Sequence, residues 1–143
     1  GRIIRRGKDL AILALGTRVG SALKVADHLL QDDLKITVAD ARFAKPIDTE
    51  LLEKLWDEHQ KLIIIEEGSA GGFSSHCLHF LSSKDLLNKH DKEIKCLTMP
   101  DNFQDHASQK EQLAKAGLDT DGLMKVVSKM ISLSNIKNKS ITN

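Results

Sequence analysis

Short apolar runs alternate along this chain with stretches in which apolar residues recur every three to four positions. The first run, "DLAILALG" (9–16), is nearly unbroken and ends in Gly, the pattern of a strand buried on both faces. Thr17 follows at an N-cap position, and Val19, Ala22, Leu23, Ala26, Leu29 and Leu30 then repeat at helical spacing. "LKITVADARF" (34–43) is β-branched and strand-like, and Pro46 breaks it. Asp48 is placed to cap a helix with Leu51, Leu52 and Leu55 on its inner face. "KLIIIEEG" (61–68) is the strongest strand pattern. A helix over 72–82 follows, with Phe73, Cys77, Phe80 and Leu81 on one side.

The second half continues the alternation. "EIKCLTMP" (93–100) reads as a strand stopped by Pro100. Ser108 and Glu111 make a capping box, Gly117 is placed to end that helix, and Asp119 to cap the next. The last helix carries Leu123, Val126, Val127, Met130 and Ile131 as its stripe. The polar stretch 135–143 is expected to fray. "RIIRR" (2–6) adds a short edge strand whose charges discourage further pairing. Strands alternating with helices predict an α/β fold: three layers, a mostly parallel sheet with helices on both faces, and one antiparallel edge strand. Residues 1–134 form a single domain in this reading.

Composition narrows the function. The chain has 143 residues, enough for one domain with its own core. The formal net charge is +1 and tyrosine is absent, which argues against a basic, base-stacking nucleic-acid surface. The apolar runs are too short to span a bilayer, so no membrane partner is expected. The two cysteines, Cys77 and Cys96, fit a reduced cytoplasmic protein better than a disulfide scaffold. The chain opens on Gly1 without Met, and strand-like sequence begins within three residues, as expected of a domain cut from a longer polypeptide.

The glycine-rich turn in "IIIEEGSAGGFSS" (63–75) is the first chemical candidate, because ligands in open α/β sheets bind beyond the carboxyl ends of strands. It matches neither phosphate-loop nor dinucleotide spacing, has no lysine, and follows two carboxylates that would repel a polyanion. Glu66 and Glu67 are adjacent on a strand and point to opposite faces, so they do not converge as an acid–base pair. Strand-to-helix turning is the favoured role; an anion or partner contact is the alternative. Arg18 in "GTRVGS" (16–21) reads first as a solvated surface arginine, and otherwise as a contact to a phosphate or a partner carboxylate.

His76 and His79 lie one turn apart, but no further spacing completes a metal site. Cys77 falls on an apolar stripe and reads as a small core residue. Asp101, Asp105 and His106 in "MPDNFQDHASQKE" (99–111) have the makings of a base and its orienter, without a motif-placed nucleophile beside them. An interface or bracing loop fits better. Arg42 and Lys45 stand just past a strand end, where Arg42 can reach a neighbouring carboxylate, including one on another domain.

Four stretches occur in order: "LALGTRVGSALKVADHL", "ITVADARFAKPIDTELL", "LIIIEEGSAGGFSSHCLHFL" and "MPDNFQDHASQKEQLAKAGLDTDGL". Together, from about residue 7 to residue 131, they resemble the C-terminal domain of the 1-deoxy-D-xylulose-5-phosphate synthase family, within the transketolase-like, thiamine-diphosphate-dependent enzymes. The first three stretches are shared in outline with transketolase and the β subunits of 2-oxoacid dehydrogenases. The loop P-D-x-F-x-x-H followed by A-G-L-D-x-x-G-L is the more specific. Ser74 and Ala107 stand where that family usually has Gly.

The resemblance implies that the full-length enzyme condenses pyruvate with glyceraldehyde 3-phosphate and releases carbon dioxide, using thiamine diphosphate held through magnesium. The product would feed isoprenoid, thiamine and pyridoxal synthesis. It further implies a cytoplasmic bacterial homodimer of three-domain subunits, with cofactor and metal on the other two domains. No G-D-G…N motif occurs here, so no catalytic, cofactor-binding or metal residue is expected in this chain. Arg42, Pro46, Asp48, Glu66, Glu67, Gly71, Gly72, Phe73, Pro100, Asp101 and His106 match family motifs with structural or interdomain roles. Two alternatives stay open: a protein-docking module, as in the dehydrogenase β subunits, and an independent ligand-binding domain with a site near Gly16 and Gly68.

Overall fold

The computed structural model describes residues 1–89, 91–101 and 107–141, with side chains as far as residue 132. Five strands form one sheet in the order β1-β3-β2-β4-β5. They are β1 (Arg2–Arg5), β2 (Leu10–Ala14), β3 (Ile36–Asp40), β4 (Lys61–Ser69) and β5 (Glu93–Met99). β2, β3, β4 and β5 run parallel, and β1 pairs antiparallel with β3, Arg2 opposite Asp40. The expected architecture with its antiparallel edge strand is therefore the observed one.

Strand parity sorts the two cores. Leu10, Ile12 and Ala14 of β2, with Ile63 and Ile65 of β4, face α1 (Arg18–Leu30) and α5 (Thr120–Ile141). Ala11, Leu13, Leu62 and Ile64 face α2 (Thr49–Glu58) and α3 (Phe73–Ser83). All five residues of β2 are buried, as a central parallel strand covered on both faces requires. Fully burying each of its Leu or Ile side chains stabilises the fold by about 1.5–3 kcal/mol. Leu113 of the short α4 (Gln109–Ala116) joins the α1/α5 layer.

The predicted caps form at three helices. Asp48 accepts a hydrogen bond from Leu51 N (3.0 Å), Ser108 from Glu111 N (3.2 Å), and Asp119 from Gly122 N (2.9 Å). Gly117 ends α4 in the left-handed region, φ 73°. Thr17 does not cap α1. Its backbone is already helical and its hydroxyl is drawn away to Glu67. Leu30 is another departure. It is 48% exposed at the end of α1, while Val25, which the spacing does not single out, is buried in the core. α5 continues as helical backbone into 135–141, part of the stretch expected to fray, because no Gly or Pro after residue 122 interrupts it.

The amino edge of the sheet is held by groups with no sequence motif. Trp56 is buried, and its indole N–H donates to Leu86 O at 3.1 Å, satisfying its polar end. The Lys92 ammonium lies 5.5 Å from the Trp56 ring centroid and donates to His59 O at 2.9 Å, stapling the C-terminal end of α2. Buried His59 bridges Leu55 O (3.0 Å) and Thr37 Oγ1 (2.8 Å).

Candidate functional site

The carboxyl ends of β2, β3, β4 and β5 share one edge, where the starts of α1, α2, α3 and α4 also lie. Glu66 and Glu67 close β4 there, and parity sends them to opposite layers. Glu66, on the Leu62/Ile64 face, is 3% exposed. Its Oε1 accepts from Phe73 N at 3.2 Å and its Oε2 from Ser74 N at 2.5 Å. A carboxylate thus sits on the N-terminus of α3, where the helix dipole favours negative charge.

This explains the glycines. A Cβ on Gly68 would stand 2.5 Å, and one on Gly72 2.7 Å, from Glu66 Oε1. Gly71 supplies a positive φ of 97° in the turn. The turn has the shape of an anion cradle, and the chain's own carboxylate fills it. A diphosphate does not fit at the start of α3 while Glu66 holds that place.

Glu67 faces the α1/α5 layer. It accepts from Arg18 Nε at 3.2 Å, from the Thr17 hydroxyl, and from Gln109 Nε2 at 3.4 Å. Arg18 is only 7% exposed, so the expectation of a solvated arginine is overturned. Its Nη1 donates to Leu118 O at 2.5 Å and to Ser21 Oγ at 3.3 Å. One guanidinium therefore joins α1, the end of β4 and the α4–α5 turn. Arg18 is the buried partner and Glu67 is 31% exposed, so breaking the pair from one side costs less than the about 3–5 kcal/mol of a fully buried one. A cleft of about 360 Å³ opens beside it, lined by Arg18, Glu67, Gln109, Lys110 and Thr120 among others.

A family model described as "Transketolase, C-terminal domain" matches residues 1–123. The chain belongs to the transketolase C-terminal domain family. It is also similar to a solved structure described as a split-gene transketolase, an inactive beta4 tetramer. That match has a TM-score of 0.73 and 28% identity, and covers 92% of this chain and 42% of the other. The chain thus spans less than half the length of that relative.

In this transketolase C-terminal domain the remaining motif residues fall along the same edge. Asp48 is the cap of α2, and the Leu51 N–H donated to it holds its carboxyl below the usual range. Arg42 is exposed with φ 64°, its N–H donating to Asp40 Oδ1 at 2.9 Å, and Pro46 is exposed after a cis Lys45–Pro46 bond. Phe73 is buried at the start of α3. Pro100 and Asp101 are exposed beyond β5. Asp105 and His106 lie outside the described residues.

The cysteines behave as core. Burial pushes the Cys77 thiol up to about 12, with Cys96 and Glu66 adding to the rise. Cys96 is also raised, by burial and then Glu66, with a Ser74 hydrogen bond opposing. Among the described residues no group of three or more His, Cys, Asp or Glu is arranged to hold a metal ion. Sequence reasoning missed Thr17, Gln109 and the Leu118 carbonyl as partners of the edge. The one available signal was parity, which places Glu67 on the face that α1 covers.

Proposed function

We propose that this chain is the C-terminal domain of an enzyme of the 1-deoxy-D-xylulose-5-phosphate synthase type, and that its role there is to brace and pack rather than to carry the chemistry. The parent would condense pyruvate with glyceraldehyde 3-phosphate, with thiamine diphosphate and magnesium held by the other two domains. It would act as a cytoplasmic homodimer feeding isoprenoid, thiamine and pyridoxal synthesis. Among the described residues no helix is long and apolar enough to cross a membrane.

The observation that carries the bracing role is the internal commitment of both edge carboxylates. Glu66 is consumed by the start of α3 and Glu67 by Arg18 and Thr17, so each holds a loop in place. The choice of parent rests on the stretch from Pro100 to Leu123, whose A-G-L-D segment has a mechanical reading. Gly117 turns the chain, Leu118 O receives Arg18, and Asp119 caps α5. A protein-docking role is the second reading, favoured by the exposed aromatic Phe43 on the same edge.

Isothermal calorimetry with thiamine diphosphate and Mg²⁺, and with pyruvate in parallel, tests the assignment of roles. No saturable heat is expected from this chain alone. Micromolar cofactor binding would overturn it, since the α3 start would then have to release Glu66. Carbon dioxide release from pyruvate and glyceraldehyde 3-phosphate by the full-length parent tests the choice of reaction.

A further inference from the structure

The path of the chain through the sheet reverses at one place. From β2 it moves to β3 on one side, then back across to β4 on the other. The helices after these two neighbours part as well, α1 packing on one face and α3 on the opposite one. β2 and β4 therefore flank a topological switch point, where an open α/β sheet leaves a crevice for a ligand beyond its carboxyl ends. The cleft of about 360 Å³ lies there, lined by Thr17 and Arg18 from the turn after β2 and by Glu67 from the end of β4. That volume suits a small molecule.

The walls keep unused binding capacity of both signs. Glu67 Oε1 is taken by Arg18 Nε and the Thr17 hydroxyl, but Oε2 has only Gln109 Nε2 at 3.4 Å, longer than a good N–H···O bond. The Glu67 side chain stays 31% exposed beside the cleft. On the facing wall Lys110 is exposed, and its ammonium makes no hydrogen bond or ion pair among the described residues. The Thr120 hydroxyl makes none either. Arg18, by contrast, is buried and committed to Glu67, Ser21 and Leu118 O. Asp119 spends one oxygen on Gly122 N at 2.9 Å, and Leu113 adds an apolar surface.

These groups select a ligand by charge. A polyanion is a poor match, because the carboxylates of Glu67 and Asp119 offset Arg18 and Lys110 and repel further negative charge. A simple cation leaves Lys110 unanswered. A small zwitterion answers both. We propose that the cleft between the ends of β2 and β4 is a binding site for a free α-amino acid with an apolar side chain. Its ammonium donates to Glu67 Oε2, and its carboxylate accepts from Lys110 and the Thr120 hydroxyl. Its side chain lies on Leu113. Such a ligand ties the end of β4 to the starts of α4 and α5, so it binds the folded chain and stabilises it. The site is built from this chain's own residues and does not depend on the reaction assigned to a parent enzyme.

The test titrates the chain with L-leucine and follows its backbone amide signals by NMR. Saturable shifts at Glu67, Lys110 and Thr120 are expected, with a Kd of about 1 mM or tighter. Isocaproate keeps the side chain and carboxylate without the ammonium, and isoamylamine keeps the side chain and ammonium without the carboxylate. Each should bind about ten-fold more weakly or worse, the loss of one charge-assisted contact. Lys110→Ala should weaken leucine binding about ten-fold and leave the melting of the free chain unchanged, because that side chain holds nothing in the fold. Lys84→Ala removes an exposed lysine at the end of α3, in the opposite layer, and should bind leucine as the wild type does. Absence of saturable shifts, equal binding of either truncated probe, or full binding by Lys110→Ala would overturn the proposal. Inorganic phosphate shifting the same amides in place of leucine would overturn it in favour of a plain anion site.

Discussion

Replacing Glu66 tests whether the carboxylate in the glycine-rich turn is a structural cap. Glu66→Ala leaves Phe73 N and Ser74 N without their acceptor in a site where Glu66 is 3% exposed. A buried group left unsatisfied costs about 1–3 kcal/mol, and the charge–dipole attraction at the start of α3 is lost as well. With water reaching one of the two donors, the expected loss is about 3 kcal/mol, or about 10 °C in Tm for a chain of this size. Gly72→Ala provides the second arm, because its Cβ would stand 2.7 Å from Glu66 Oε1 and 3.3 Å from Ser69 O. Alone it should cost about 1–3 kcal/mol through overpacking. In the Glu66→Ala background the tighter of the two contacts is gone. The double variant should therefore lose at least about 1 kcal/mol less than the sum of the single losses. Urea denaturation with unchanged m-values reads all three variants. Additivity within about 0.3 kcal/mol, or a single loss below about 0.5 kcal/mol, would refute the cap.

Three further outcomes follow from the same structure. Arg18→Met should cost about 1–3 kcal/mol by removing the donor to Leu118 O and one of the three donors to Glu67, and Glu67→Gln should cost less, because an amide still accepts from Arg18; denaturant titration ranks them. Gly117→Ala should cost about 1 kcal/mol through its φ of 73°, and an unchanged midpoint would remove the left-handed C-cap argument. The Cys77 thiol is favoured in the neutral form by folding, its value raised from 9.0 to about 12. Its contribution is fully present below pH 9.0 and is lost as pH rises toward about 12. Stability should fall across that window less steeply in Cys77→Ala, and Cys77 should react with thiol reagents at neutral pH only as fast as the chain unfolds.

The local grammar of the chain was sufficient for the elements and much of the edge. The unbroken apolar run at 9–16 made a buried parallel strand legible, and caps at Asp48, Ser108 and Asp119 fell where their side chains close nearby N–H groups. The divergence of Glu66 and Glu67 follows from the period of two along a strand and needs no fold at all. Leu30 shows where spacing falls short. Helical periodicity identifies a face, but the length of that face that is covered depends on where the neighbouring layer ends.

What only the tertiary structure decided is the identity of partners distant in sequence. Arg18 and Glu67 are 49 residues apart, and Arg18 and Leu118 are 100 apart. No local pattern distinguishes a buried arginine of this kind from a solvated one. The sheet order brings β2 beside β4, so the turns after those two strands meet, and desolvation then forces each charge to find its counterpart. The same juxtaposition drew the Thr17 hydroxyl away from capping α1. By itself the sequence determined the alternation, the caps and the opposed carboxylates, because those depend on neighbours along the chain. The closed Glu67–Arg18–Leu118 brace emerged only when the sheet placed remote turns on one edge.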